Sequence, residues 1–249
     1  MAVRGIGLDS DPRLRPAHGD LADQRLEGLW RAPAYRPARP MRVTTPVLDL
    51  FDADGRRQTQ LLFGETFEVL MIEGERAVGR CTRDGYVGRV EAMSLSTDLL
   101  TPTHHVAAID GDLPLNALVQ ALPGAPTEGL ADLLSFDDDP AAVAERFLGA
   151  PYAWGGRTRE GIDCSGLVQA ALFACGLGCP RDADMQAREL GHEIADTPRR
   201  NDLACWDGHI GVMLDAERLL HADGQAGAVV VMPLAEVEAT RGPARLRRL

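Results

Sequence analysis

The pattern of the chain changes at Pro140, and that change limits the fold more than any other feature. Before it, short apolar runs alternate with turns rich in Gly and Asp; after it come two helical patterns and then four closely spaced strand patterns. Strands split by turns at short intervals describe a small all-β unit, and helices followed by consecutive strands describe an α+β unit. At 249 residues the chain is long enough to bury a core in each.

Residues 1–40 are rich in Pro, Arg, Asp and Ala. Pro33, Pro37 and Pro40 keep the stretch after Trp30 out of a helix or a central strand, so it is expected to run extended over the body of the protein. Leu21, Leu26 and Leu29 supply a thin apolar side and predict a short helix around 19–29. Within 41–96, strands are predicted at 41–44, 60–63, 66–72, 77–82 and 85–90. They are separated by Asp54-Gly55, Gly64, Glu73-Gly74 and Asp84-Gly85, and five short strands suggest a small barrel. Residues 97–139 read as a connector with strands at 106–109 and 117–122. They hold Pro102, Pro114, Pro123 and Pro126 and the acidic run Asp137-Asp138-Asp139.

From 140 to 249 the reading is α+β. Residues 140–148 form a helix with Pro140 in its first turn, ended by Gly149. In 163–175, Leu167, Val168, Ala171, Leu172 and Cys175 share one helical face, and Gly176 stops the helix. Strands at 202–206, 209–215, 218–223 and 228–234 follow closely enough to form an antiparallel meander.

Composition narrows the partners. The 26 basic side chains, all Arg, against 37 acidic ones give a net charge of −11. That weighs against a nucleic-acid partner, which selects for a basic surface. There is no run of about 18 apolar residues, so no membrane-spanning helix is expected. Residues 1–23 lack the apolar stretch of a secretory signal. Five cysteines are too few, and odd in number, for a disulfide scaffold. These features together predict a reducing, cytoplasmic location and no membrane partner.

Cys164 is the residue that points to chemistry. It sits in Asp163-Cys164-Ser165-Gly166, where the second helix begins. Free N–H groups and positive partial charge at a helix start favour a thiolate, which is a nucleophile. A thiol nucleophile needs a base, and the base needs an orienting group. His209 opens one predicted strand and His221 lies in the next, with Asp215 to Arg218 as the turn between them. A hairpin brings both histidines to one end of the sheet. Cys164 as nucleophile, His209 as base and His221 as orienter make a complete set. Cys81 and Cys175 read as core residues, His192 as exposed, and His104 and His105 as connector residues.

Residues 140–234 resemble the NlpC/P60 family of cysteine peptidases, which act on bacterial cell-wall peptides. The resemblance is carried by Phe147-Leu-Gly-Ala-Pro-Tyr152-Ala-Trp-Gly-Gly156, Asp163-Cys164-Ser165-Gly166, Pro180-Arg181 with Gln186, Asp202-Leu203 with Trp206, Gly208-His209-Ile-Gly211-Val and His221-Ala222. It implies a papain-like α+β domain of helices packed on an antiparallel sheet. In that family the cysteine attacks, the histidine of the Gly-His-x-Gly segment is the base, and a third polar residue orients it. Those roles fall on Cys164, His209 and His221, and Tyr152 corresponds to a tyrosine beside the site.

Residues 41–96 resemble the bacterial SH3 domains that precede this peptidase domain, through Thr59-Gln-Leu-Leu-Phe-Gly64-Glu65 and Asp84-Gly85-Tyr86-Val-Gly88. The resemblance implies a narrowed groove in which an acidic residue and a tyrosine of the SH3 domain, with the Asp and Ser flanking the cysteine, hold a free N-terminal amine. Glu65, Tyr86, Asp163 and Ser165 are therefore candidate substrate ligands. Residues 97–139 stand where such proteins often carry a second SH3 domain, here missing or reduced to a remnant, and Asn201 stands where many have Gly.

The implied activity is hydrolysis of a γ-D-glutamyl-L-diamino acid bond in a small murein peptide with a free N-terminal L-Ala, in wall-peptide recycling. No cofactor or metal is expected. Because the substrate carries carboxylates and the protein is acidic, local arginines are expected to receive it. Arg157, Arg159 and Arg181 flank the motifs, and Arg181 is the candidate. Two other readings stand beside this one. One is an amidase, acyltransferase or wall-fragment binder built on the same site. The other is a zinc module using Cys175-x₃-Cys179 and Cys205-x₃-His209.

Overall fold

The computed structural model describes residues 11–249, and the chain divides between Leu133 and Leu134 into two units. In the first, β1 (Ala17–His18), β2 (Leu21–Asp23) and β3 (Ala34–Arg36) form a three-stranded sheet. The helix expected around 19–29 is not formed. Asp23 accepts from Arg25 N and caps only a short 3-10 turn over Gln24–Leu26. Gly28, at φ +81°, then turns the chain away. Leu26 is fully buried while Leu29 is exposed, so the three leucines do not share a buried face. After Trp30 the chain is extended, as the prolines require.

The main sheet of this unit comprises β4 (Arg39–Val43), β5 (Val47–Phe51), β6 (Arg57–Leu62), β7 (Thr66–Glu73), β8 (Arg76–Cys81), β9 (Val87–Glu91) and β10 (Leu95–Ser96). Their order is β10-β4-β7-β8-β9-β5-β6, and Leu50, Phe67, Ala77 and Val90 lie in the core they enclose. Strand β5 was absent from the sequence reading. Pro46 before it and Asp49 in its middle hide an alternation in which Leu48 and Leu50 point inward. Residues that read as a connector form a second small sheet of β11 (His104–Val106), β12 (Leu118–Val119) and β13 (Leu130–Asp132). Val106 and Ala117 share a core with Leu62, and Leu118 N donates to Phe63 O at 2.9 Å.

The second unit is α+β. It contains α1 (Pro140–Glu145), the short pair β14 (Arg157–Thr158) and β15 (Gly161–Ile162), α2 (Cys164–Ala174) and α3 (Ala183–Glu189). The six-stranded sheet follows: β16 (His192–Ile194), β17 (Leu203–Trp206), β18 (His209–Met213), β19 (Arg218–Asp223), β20 (Ala228–Pro233) and, after α4 (Leu234–Arg241), β21 (Arg245–Arg248). The meander β17-β18-β19-β20 is antiparallel throughout. Strands β21 and β16 extend it beyond β17. Helix α2 packs against α1, β18 and β19. Its residues are all buried, so the expected amphipathic face is replaced by a helix enclosed on every side.

Helices α3 and α4 and strand β21 are among the elements that escaped the sequence reading, for local reasons. Helix α3 is short and polar, α4 follows Pro233 directly, and β21 reads Arg-Leu-Arg-Arg. That last strand sits inside the sheet because its arginines find acceptors: Arg248 donates to both carboxylate oxygens of Asp202, at 3.0 and 2.8 Å, and Arg247 to Gly191 O. Asn201 has φ +74°, a conformation Asn tolerates better than most residues. Its Oδ1 accepts from Ala141 N at 2.8 Å and joins Asp139 in capping α1.

Candidate active site

Asp163 ends its extended backbone where α2 starts, and its side chain caps the helix by accepting from Gly166 N at 2.7 Å. The cap explains the glycine three residues on. A Cβ at position 166 would lie 2.3 Å from the carbonyl oxygen of Gly156, so the Asp-Cys-Ser-Gly and Trp-Gly-Gly segments interlock through glycine. The other Asp163 oxygen accepts from Gly155 N at 2.7 Å. Arg181 then grips the carboxylate with both terminal nitrogens, at 3.0 and 2.7 Å, a bidentate arrangement in a nearly closed interior. It also donates to Ser165 Oγ at 2.8 Å. Gln186, on α3, donates to Ser165 O and to Pro180 O. The start of α2, with Cys164 at its first position, is thus tied down from several directions.

The sheet supplies the imidazoles. His209 opens β18 opposite Trp206 of β17, and its ring lies 5.7 Å from the indole. The register that pairs Val212 with Leu220 sets His221 on β19 beside Gly211, two residues from His209 and on the same face. A Cβ at 211 would lie 3.0 Å from His221 Cβ and 2.8 Å from a Leu219 methyl; glycine there lets the second ring approach. His209 Nε2 is 2.8 Å from His221 Nδ1, and the rings meet edge to face. This leaves His209 Nδ1 as the nitrogen available to a thiol. Cys164 Sγ lies 4.0 Å from Gly208 O, against the backbone that leads into His209.

Burial dominates the electrostatics. It pushes the Cys164 thiol up to about 11, with the neighbouring Asp163 charge adding to the effect and the Ile210 N–H opposing it. Burial likewise holds His209 down to about 3, with Arg241 and His221 pushing the same way and Asp223 opposing. His221 is lowered too, chiefly by burial. The sequence expectation of a helix-stabilised thiolate is therefore corrected: the closed, water-poor setting outweighs the helix start, and thiol and imidazole rest neutral. Tyr152, half-buried, is raised to about 12 by burial and then by Cys164 and Asp163. Its hydroxyl keeps its proton and can donate.

The other candidates divide by where the fold puts them. Asp163, Ser165 and Arg181 meet in one buried cluster beneath Cys164. Arg181 is 1 % exposed and its nitrogens are engaged by Asp163 and Ser165, so the expectation that it receives a substrate carboxylate is corrected: it anchors the helix start. Glu65 and Tyr86 belong to the first unit. Glu65 is buried, accepts from Leu62 N, and pairs with Arg83 at 3.0 Å. Tyr86 packs in the barrel core. Within that unit both have structural work to do. Among the described residues, no group of three or more His, Cys, Asp or Glu side chains is placed to hold a metal ion.

Two residues near the imidazoles were missed. Asp223 follows His221 by two positions on β19, a spacing that alternation could have flagged. Arg241, at the end of α4, donates to Asp223 Oδ1 at 3.0 Å, a contact that no local pattern announces.

Comparison with known proteins agrees with this architecture. Residues 149–241 match the NlpC/P60 family and residues 51–95 match the bacterial dipeptidyl-peptidase SH3 domain. A γ-D-glutamyl-L-lysine dipeptidyl-peptidase of Bacillus subtilis is 33 % identical over 98 residues, covering 36 % of this chain and 33 % of that protein. A probable endopeptidase NlpC homologue of Haemophilus influenzae is 28 % identical over 153 residues, 57 % of this chain and 83 % of that one. The chain thus spans about a third of the B. subtilis protein's length. The crystal structure of an NlpC/P60 family protein from Bacillus cereus superposes with a TM-score of 0.70 at 17 % identity, covering 84 % of this chain and 99 % of the other, and shows the shared fold. The cysteine and the histidine pair accordingly sit in a region that matches the NlpC/P60 family, in a chain that also carries a region matching the bacterial dipeptidyl-peptidase SH3 domain.

Proposed function

We propose that this chain hydrolyses an amide bond of murein peptides with Cys164 as nucleophile, His209 as general base and acid, and His221 as its orienter. The observation that carries the reading is the 2.8 Å contact between His209 Nε2 and His221 Nδ1. With His209 Nε2–H donating to His221 Nδ1 across this contact, Nδ1 is left with its lone pair free to take a proton, the tautomer the reaction needs.

With thiol and imidazole neutral at rest, the proton moves as the bond forms. Cys164 Sγ adds to the carbonyl carbon while its proton passes to His209 Nδ1. On this reading the Cys164 N–H at the start of α2 and the Tyr152 hydroxyl receive the developing oxyanion. Collapse breaks the C–N bond, His209 gives its proton to the leaving amine, and a thioester remains. Water, deprotonated by His209, then adds to the thioester carbonyl; the C–S bond breaks and the thiol is restored.

The finer proposal is a γ-D-glutamyl-L-diamino acid bond in a peptide with a free N-terminal L-Ala, cleaved during wall-peptide recycling in the cytoplasm. The names of the B. subtilis relative and of the matched SH3 model support the bond class. A low and odd cysteine count suits a reducing compartment. The test is mass-spectrometric product analysis on L-Ala-γ-D-Glu-L-Lys and its diaminopimelate counterpart, each also N-acetylated. Wild type should release L-Ala-D-Glu from the free peptides and spare the acetylated ones, and Cys164→Ala should release nothing. Turnover by Cys164→Ala would refute the nucleophile, and equal cleavage of acetylated peptides would refute the amine requirement.

A further inference from the structure

The geometry points to Asp223 and Arg241 as positioning residues for the His209–His221 pair: a buried carboxylate held by an arginine at the surface, an ion pair that keeps the two rings in register and sets the charge around them. The inference rests on the peptidase reading above for its kinetic consequences, but its geometry stands on its own.

Arg241 is the last residue of α4, and Gly242, at φ +82°, caps it. This single corner reaches two places. Arg241 Nη2 donates to Asp223 Oδ1 at 3.0 Å, and the Gly242 carbonyl accepts from Trp206 Nε1 at 2.7 Å. Each contacted residue flanks one imidazole: the Trp206 ring faces His209, and Asp223 follows His221 on the same strand face. The end of α4 therefore braces the pair from both sides.

Asp223 does more than receive the arginine. Its other oxygen accepts from Ala226 N at 3.1 Å and closes the turn between β19 and β20. That turn meets Tyr152: Tyr152 N donates to Gly227 O at 2.8 Å, and the Tyr152 ring lies against Gly224. One carboxylate thus orders the strand that carries His221 and the turn that seats Tyr152. It is 6 % exposed, so its charge acts through a water-poor interior, where charges are felt strongly.

Among the described residues, the charged and titratable groups facing the imidazoles include Asp223 from β19, Arg241 from α4, Cys164 from α2, Asp163 at its cap, held by Arg181, and Tyr152. Asp223 favours a proton on both rings, and Arg241 disfavours it. Arg241 is the stronger of the two at His209 and Asp223 the stronger at His221. His221 Nε2 is buried with no hydrogen-bond partner, so this ring depends on its strand and its neighbours for orientation.

The test compares Asp223→Asn and Arg241→Gln in the full chain. Asparagine keeps an oxygen for Ala226 N and loses the charge; glutamine keeps length and loses the charge. We expect kcat/KM to fall about tenfold or more in each through kcat, with KM little changed, as misplacement of catalytic groups does. The acid limb of the kcat/KM profile should move to lower pH in Asp223→Asn and to higher pH in Arg241→Gln. Imidazole ¹⁵N resonances of the substrate-free protein should titrate in the same opposite directions. A merely structural role would move both variants the same way or leave titration unmoved, and either result overturns the proposal. If Arg241→Gln fails to fold, Arg241→Lys keeps the charge and should retain the wild-type titration; a shifted one also overturns it. Turnover by Cys164→Ala would sink the peptidase reading alone, because the resonances need no substrate.

Discussion

The Arg181–Asp163 pair offers the sharpest test of how the site is held. In Arg181→Met the Asp163 carboxylate, 5 % exposed, loses both guanidinium donors and keeps only Gly166 N, Gly155 N and the Ser165 hydroxyl. Ser165 also loses its donor. Removing one partner of a buried ion pair costs about 3–5 kcal/mol, because the other charge stays buried and unpaired. Neutralising that charge should restore part of the loss. Asp163→Asn/Arg181→Met keeps an oxygen for the Gly166 cap, so the double variant should be more stable than the sum of the single losses by about 1–3 kcal/mol. Urea unfolding followed by tryptophan fluorescence measures this. A Trp30→Phe background leaves Trp154 and Trp206, both in the second unit, as reporters. A loss below about 1 kcal/mol in Arg181→Met would refute the claim that the pair ties the helix start, since it would put the pair in the range of exposed salt bridges. Additive losses would show that the two side chains do not act on one another.

Three further outcomes follow from the geometry. Because the Cys164 thiol sits near 11, it is un-ionised at neutral pH; alkylation by iodoacetamide should be slow at pH 7 and quicken about tenfold per pH unit toward pH 10. Rapid, pH-independent alkylation between pH 5 and 8 would mean a preformed thiolate–imidazolium pair instead. Gly211→Ala should lower kcat/KM about a hundredfold while costing only about 1–3 kcal/mol of stability, because its Cβ drives into the strand beneath His221; unchanged kinetics would contradict this. Asn201→Ala should lose about 1–2 kcal/mol in thermal unfolding by removing a cap and placing Ala at positive φ. Asn201→Gly should lose less.

Much of the site was legible because its local rules are strict. Asp163 before Cys164 and Gly166 after it state a capped helix start, and Gly208 to Gly211 state a strand entered from a tight turn. The meander was legible for the same reason: strands separated by so few residues have little choice but to pair with the next one. Strands β5 and β13 were hidden by prolines and short runs, where local propensity is weak and packing decides, while the predicted strands at 117–122 and 106–109 contain β12 and touch the end of β11. Strand β21 was hidden by its arginines, which read as a solvated tail until Asp202 supplies their partner.

The sequence by itself determined the alternation of element types, the start of α2 and the chemistry-bearing residues, because these rest on contacts within a few positions of one another. Tertiary structure decided the rest. It turned Arg181 inward to Asp163, placed Tyr86 in a barrel core, and brought Arg241 to Asp223. It also set the electrostatics of the site: a helix start favours a thiolate, but the folded chain removes the water that a thiolate needs, and that desolvation raises the Cys164 thiol and lowers His209.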